Sequence, residues 1–393
     1  MYYLGIDIAK HNHVASLIDS EGGLVVKTIG FTNNAAGYRK LMGKIFAAIP
    51  DACKGDIFVG MEATGHYWLS LFSAFVEDGF AVSVYNPFQI KSFRSAYSNR
   101  RQKTDVIDAV VIANYIRAFG GGTTSLPCEA LLSLKQLTRY RSDLVQNVSA
   151  VKNQIVSIMD RIFPEFASLL SNTFGETGKA ILQAAPTPAL VLGFCEQGLL
   201  EIVHTASRGQ LNQDFVDRLK AAAKESFGIK LTAKACTFEL KQLVGAILFL
   251  EGQVEGLDAE IKGIYSELDE FLITIPGIGE VLAPAIFAEI GGIEKFSHPG
   301  KLIAFSGIDP SANQSGQKIS GEEKISKRGS PYLRWAICKA SFNAISNDPH
   351  LRQYYDRKKE EGKHHHVALA GVQRKLLQII WAVLKERRPY RPY

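Results

Sequence analysis

Apolar and polar positions divide the chain into three regimes. In the first, short apolar runs alternate with turn signals. Residues 2–9, Tyr-Tyr-Leu-Gly-Ile-Asp-Ile-Ala, predict a buried strand carrying one acid, Asp7. Residues 14–18 and 24–31 predict two more strands, joined by the hairpin signal Ser20-Glu21-Gly22-Gly23. Helical periodicity follows over 35–48, then an apolar strand over 57–61 that ends at Glu62-Ala63-Thr64-Gly65. A helix over 67–77, a strand over 81–85 and a break at Asn86-Pro87 complete the run. Three hairpin-linked strands followed by alternating helices and strands predict a mixed α/β sheet, specifically a ribonuclease H-like domain over 1–122 closed by Gly120-Gly121-Gly122.

The second regime, 123–270, has helical spacing throughout. Leu134, Leu137, Leu144, Val148, Val151, Ile155, Ile158 and Ile162 step by threes and fours, with Arg141 the polar seam position, until Pro164 stops the helix. A second seam runs Leu240, Leu243, Ile247, Leu250, Val254, Leu257, Ile261, Ile264, Leu268. Two such seams fit an antiparallel coiled coil, an oligomer contact, or ordinary core helices. Between them, about 165–235 read as a small helical insertion with breaks at Pro186 and Pro188. The third regime, 271–393, opens with Ile275-Pro276-Gly277-Ile278-Gly279, a helix-hairpin-helix signal in which Gly277 and Gly279 offer backbone N–H groups to a phosphate. A loop over 306–331 rich in Ser, Gly and Lys follows, and helices over 332–346 and 366–386 end the fold.

Charge sharpens this picture. The net charge of +6 is mild, but residues 271–393 hold 19 Lys and Arg against 11 Asp and Glu, a net of +8, which leaves −2 for the rest. A basic C-terminal third suits a polyanion partner. The five cysteines, Cys53, Cys128, Cys195, Cys236 and Cys338, form no close-spaced metal pair and no even disulfide framework. No apolar run reaches about 18 residues, and the opening strand leaves no room for a signal peptide, so a cytoplasmic protein is expected. His364-His365-His366 reads as a solvated or nucleic-acid-facing turn.

The candidate chemistry centres on Arg100-Arg101-Gln102-Lys103-Thr104-Asp105-Val106-Ile107-Asp108-Ala109. Thr104 reads as a helix N-cap, which puts Asp105 and Asp108 on one face of the first turns. A capped surface helix is the plain alternative, because acids there complement the helix dipole. With Asp7 and Glu62 the set becomes four carboxylates from two strands and one helix, a donor set for hard, oxygen-preferring Mg²⁺. Two such ions clamp the attacking and leaving oxygens of a phosphodiester. Lys91, Arg94, Arg100, Arg101 and Lys103, interleaved with Phe93 and Tyr97, are placed for phosphate contacts.

Tyr3-Leu4-Gly5-Ile6-Asp7-Ile8-Ala9-Lys10, Glu62-Ala63-Thr64-Gly65, Asn86-Pro87, Lys103–Ala109 and Ile275–Gly279 together resemble the DEDD insertion-sequence transposases. These are of the IS-one-ten type, the bridge-RNA-guided recombinases, and are similar to the Piv DNA invertases. The resemblance covers nearly the whole chain and is weakest over 165–235. It implies a RuvC-like N-terminal domain with Asp7, Glu62, Asp105 and Asp108 as its catalytic, metal-holding acids. It also implies a C-terminal transposase domain whose serine nucleophile falls on Ser315, within Gly307-Ile308-Asp309-Pro310-Ser311-Ala312-Asn313-Gln314-Ser315-Gly316. In such recombinases the serine attacks a DNA phosphate, acids and serine of one site come from different subunits, and an element-encoded RNA pairs with donor and target DNA. A homo-oligomer, dimer or tetramer, is implied.

The residues alone do not single out Ser315 from Ser306, Ser311, Ser320, Ser326 and Ser330 nearby. A serine hydroxyl is a weak nucleophile that needs a base or metal, and no histidine stands near it in sequence. Lys324, Lys327, Arg328 and Arg334 flank the loop and suit phosphate binding. Two other functions compete: a RuvC-type nuclease that uses the acids and water, leaving hydrolysed ends and no adduct, and a non-catalytic nucleic-acid-binding protein indifferent to acid substitution.

Overall fold

The computed structural model describes every residue except Thr64, 98–103, Gly121, 125–126, 269–270, 311–313, 316–317, 320–324 and Tyr393, and only the backbone of 97, 314–315 and 318–319. The chain forms two compact units, Met1–Leu126 and Pro127–Tyr393; the second takes in both the helical middle and the C-terminal regime.

The first unit is built on β1 (Tyr2–Asp7), β2 (Asn12–Asp19), β3 (Leu24–Thr32), β4 (Ile57–Glu62) and β5 (Ala81–Tyr85), in the order β3-β2-β1-β4-β5. The hairpins make β1–β2 and β2–β3 antiparallel, whereas β4 and β5 run parallel to β1. This order is consistent with a RuvC-like domain. Helices α1 (Ala35–Ala48), α2 (Trp68–Glu77), α3 (Pro87–Tyr97) and α4 (Asp105–Phe119) complete it. Alternation along each strand sends Leu4, Ile6, Val59 and Met61 to a core shared with Leu41, Ile45, Phe72 and Phe75. The opposite face carries Tyr3, Phe58 and Tyr85, covered by Ile112 and Ile116 of α4. The Asn86-Pro87 break proves to be a start signal: Pro87 opens α3, and Asn86 Oδ1 accepts from the Phe88 N–H at 2.9 Å.

The second unit begins with α5 (Glu129–Ile162), followed by the short helices α6 (Phe166–Leu169), α7 (Glu176–Ala184), α8 (Pro188–Gly193), α9 (Glu196–Ala206) and α10 (Gln213–Glu225). Pro188 is the first residue of α8 rather than a break. α11 (Ala233–Leu268) returns antiparallel to α5, joined to it by Arg141 to Asp258 at 2.5 Å and Lys152 to Glu251 at 2.9 Å. These bonds pair α5 with α11 within one chain. Their far ends, Ile155–Ile162 and Cys236–Ile247, build a core with the insertion. Glu251 also accepts from Lys179 of α7 at 2.8 Å, tying the insertion to the helix pair. The near ends, Leu131, Leu134, Ile261 and Tyr265, enter the C-terminal core.

That core contains α12 (Leu282–Ile290), α13 (Pro299–Ser306), α14 (Pro331–Asn347), α15 (Pro349–Glu360) and α16 (His365–Glu386), beside a two-stranded ribbon of β6 (Gln314–Ser315) and β7 (Lys318–Ile319). The sequence predicts two closing helices; the structure has three. α15 buries only Leu351 fully, so it shows little apolar period, and its signal is Asp348 capping the His350 and Leu351 N–H groups ahead of Pro349. The three histidines open α16: His364 caps it and the His365 imidazole meets the Tyr355 hydroxyl at 2.6 Å. α16 is long and apolar enough to cross a membrane, contrary to the sequence expectation, but Val372, Leu376, Leu377 and Ile380 are buried against the other C-terminal helices, as in a core helix.

Candidate nucleic-acid processing site

The four candidate acids of the first unit lie toward one end of the sheet. Asp7 is the last residue of β1 and Glu62 the last of β4, one step beyond the parallel pair Ile6 and Met61. Neighbouring strands lie about 4.8 Å apart, so the two carboxylates project from adjacent strand ends. Alternation puts both on the side of Gly5 and Gly60, the face α4 covers. The direction of α4 follows from two contacts. A Cβ on Gly5 would lie 2.1 Å from the Ala109 carbonyl oxygen, and one on Gly22, in the β2–β3 turn, 3.2 Å from the Arg117 guanidinium carbon. That turn lies at the Tyr2 end of β1, so the first turn of α4, with Asp105 and Asp108, lies toward the Asp7 end. Thr104 caps this turn, accepting from the Ile107 N–H at 3.4 Å.

The sequence placed Asp7 in mid-strand as a buried acid. It is half-buried at the strand end, as Glu62 is, and Asp105 is exposed. Asp108 forms an ion pair with Arg94 of α3, a residue the sequence assigns to phosphate. Four carboxylates toward one sheet end offer the oxygen donors that a hard divalent ion takes. Among the described residues, however, no three His, Cys, Asp or Glu side chains already stand within reach of one ion. Lys91 is exposed on α3, and Arg100, Arg101 and Lys103 lie outside the described residues. One neighbour escaped sequence reasoning. His13 is fully buried, and its Nδ1 accepts from the Ala9 N–H at 3.2 Å, holding the loop that follows Asp7; burial pushes this imidazole below its ordinary value.

In the second unit, Ser315 lies on β6 opposite Lys318 of β7. The base of this ribbon is clasped from both sides. Gly307, at φ 70°, ends α13 in the left-handed region, and its carbonyl accepts from the Lys327 N–H at 3.0 Å. Pro310 bridges to Ile325, and the Ser326 hydroxyl donates to Asp309 at 2.5 Å. Arg334 donates to the carbonyls of Ser306 at 3.3 Å and Gly329 at 3.5 Å, so it braces the clasp. Lys327 and Arg328 are exposed, and Lys324 lies outside the described residues. Gly277, at φ 91°, packs against α14: a Cβ there would lie 2.4 Å from the Ala344 backbone nitrogen. Close helix approach accounts for that glycine, whereas Gly279 is exposed with open space beside it.

An acid-edged mixed sheet with a carboxylate-bearing helix across one face is consistent with a transposase domain of the DEDD class. Residues 4–164 match the DEDD transposase model of the IS110 type, and residues 269–356 match the model described as transposase, IS116/IS110/IS902 family. The chain belongs to this IS110/IS116 family of transposases and recombinases. Three relatives are similar over almost their whole length. The transposase for insertion sequence element IS1111A of Coxiella burnetii is 22% identical over 99% of this chain and 91% of its own. The pilin gene-inverting protein of Moraxella bovis is 24% identical over 99% and 97%. The 44.8 kDa protein of insertion element IS116 of Streptomyces clavuligerus is 24% identical over 99% and 96%.

Proposed function

We propose that this protein is the Mg²⁺-dependent recombinase of a mobile insertion sequence, cutting and rejoining donor and target DNA through a phosphoserine intermediate at Ser315. In this reading the protein works in the cytoplasm as a homo-oligomer, guided by an element-encoded bridge RNA. The observation that carries it is the shared sheet end of Asp7, Glu62, Asp105 and Asp108, in a chain whose second unit holds Ser315 on a clasped ribbon.

Asp7, Glu62, Asp105 and Asp108 would hold Mg²⁺, which supplies charge neutralisation at phosphate oxygens and favours an alkoxide nucleophile. Ser315 gives up its hydroxyl proton as its oxygen attacks a DNA phosphorus. A serine–phosphate bond forms, one phosphorus–oxygen bond of the DNA breaks, and the departing sugar oxygen takes up a proton. Attack by a sugar hydroxyl of the second DNA reverses these bonds and frees the serine. Lys327 and Arg328, exposed beside the clasp, bind the phosphate. Lys91, Arg100, Arg101, Lys103, Lys324 and the Gly279 turn add contacts that hold DNA or RNA without reading sequence.

The test is a denaturing gel of the full chain, purified with its RNA, and an end-labelled duplex spanning the joined ends of its element. Wild type should give a protein–DNA adduct; Ser315→Ala and Asp105→Asn should give none, while Ser311→Ala and Ser320→Ala retain it. An adduct from Ser315→Ala overturns the serine assignment. Cut DNA without any adduct favours the water-using nuclease, and unchanged strand exchange by the wild type in EDTA removes the metal from the reaction.

A further inference from the structure

Glu289 is the most deeply buried carboxylate among the described residues, at 2% exposure, on the otherwise apolar α12. An uncompensated charge there costs several kcal/mol, so its partners matter. Arg139 grips it with two bonds, at 2.5 and 3.0 Å. Lys135, one turn earlier on α5, stands 3.9 Å away, and the Ser330 hydroxyl donates to it at 2.7 Å. The same hydroxyl accepts from the Leu333 N–H at 3.2 Å and so caps α14. The Arg139 guanidinium also lies 4.8 Å over the Tyr332 ring, whose hydroxyl donates to Asp143 at 3.4 Å, one turn further along α5.

Arg139 and Asp143, on successive turns of α5, thus hold the segment Ser330–Tyr332, Arg139 over the Tyr332 ring and through Glu289, and Asp143 at the Tyr332 hydroxyl, directly after Gly329 of the clasp. The clasp leaves no slack at this point, because a Cβ on Gly329 would lie 1.7 Å from the carbonyl oxygen of Phe305 on α13. A buried ion pair adds little stability over an apolar pair of the same volume, yet it fixes orientation through directional bonds.

We infer that Glu289, Arg139 and Ser330 are positioning residues that set the attitude of the Ser315 ribbon, so that helix α5 acts on the reaction through them. The inference rests on the reading of Ser315 as nucleophile. Their role is mechanical: the clasp at the ribbon's base is fixed relative to α5 and α12, and the strand that carries Ser315 starts from that fixed base.

Single-turnover adduct formation by the full chain with its RNA and the labelled duplex tests this, with rate at saturating DNA and half-saturating concentration measured separately. Glu289→Gln and Ser330→Ala should lower the saturated rate about 10²-fold, as an ångström-scale misplacement does. The half-saturating DNA concentration should stay within about two-fold, since no DNA contact is lost. Ser330→Thr, which keeps the hydroxyl, should restore the rate. Glu289→Met combined with Arg139→Met should keep the melting temperature near wild type while the rate stays low. A double variant whose rate recovers with its stability makes the network merely structural and overturns the inference. So do wild-type rates for Glu289→Gln and Ser330→Ala. If Glu289→Gln fails to fold, the Ser330→Ala and Ser330→Thr pair decides. An adduct from Ser315→Ala removes the underlying nucleophile assignment instead, a different failure from a normal rate in Glu289→Gln.

Discussion

Gly5→Ala places one methyl group where β1 passes beneath α4. The added carbon would lie 2.1 Å from the Ala109 carbonyl oxygen, 2.4 Å from the Ala113 nitrogen and 3.0 Å from the Ala113 Cα, all backbone atoms. Ordinary contact begins at 3.4 Å, so the helix and strand must separate by about 1.3 Å, the difference from 2.1 Å. No rotamer relieves this, because the obstacle is the helix itself. Overpacking of this kind costs roughly 1–3 kcal/mol. The displacement also moves Asp105 and Asp108 relative to Asp7 and Glu62, and a shift of about 1 Å at reacting groups lowers rates about 10²-fold. Chemical unfolding of the full chain and strand-cutting rates at saturating DNA read the two effects. Two substitutions calibrate them. Gly60→Ala meets the Ile116 Cδ1 at 2.3 Å, the end of a side chain that can turn aside, and should cost less. Gly43→Ala, on α1 with no neighbour within 4 Å, should stabilise by about 1 kcal/mol through helix propensity. A Gly5→Ala protein as stable and active as wild type would refute the packing of α4 on β1, and with it the placement of the two helix acids.

Acid should weaken the second unit through Glu289: burial pushes its carboxyl up, but Arg139, Lys135 and Ser330 outweigh this and hold it below the ordinary carboxylate range. Stability from a depressed carboxyl is present above the unfolded value and lost as pH falls through the folded one, so wild type should lose more unfolding free energy than Glu289→Gln between about pH 6 and pH 3, and parallel curves would contradict this. DNA affinity should fall linearly with log salt, by about 10³-fold between roughly 50 and 200 mM if some six phosphates are neutralised, whereas a flat response makes the basic excess incidental. Leu250 and Leu257 are only half-buried on the central stretch of α11, so charged replacements there should lower the oligomer mass in light scattering, and an unchanged mass with soluble protein limits that seam to one chain.

Local rules carried much of the fold. Thr104 marks a helix start because a short oxygen next to an apolar period caps free N–H groups wherever it occurs. The strands of the first unit were legible because each buries one face or both, and the hairpin signal at Gly22-Gly23 fixed their first pairing. The four acids stood out as charges within or beside apolar runs, but which edge they share was not legible: it depends on the parallel register of β1 with β4 and on the direction α4 takes over Gly5. The seams of α5 and α11 were visible as a period, yet a period names no partner, and only packing assigned their ends to two different cores. α15 was missed because it lies on the surface and buries almost nothing. Glu289 reads in sequence as one acid in an apolar helix; its partners Arg139 and Ser330 stand 150 and 41 residues away, and such distant pairings exist only once the chain has folded. Sequence determined what each segment is, through backbone capping and apolar period, while tertiary structure decided which charges meet, because electrostatic partnership depends on distance in space.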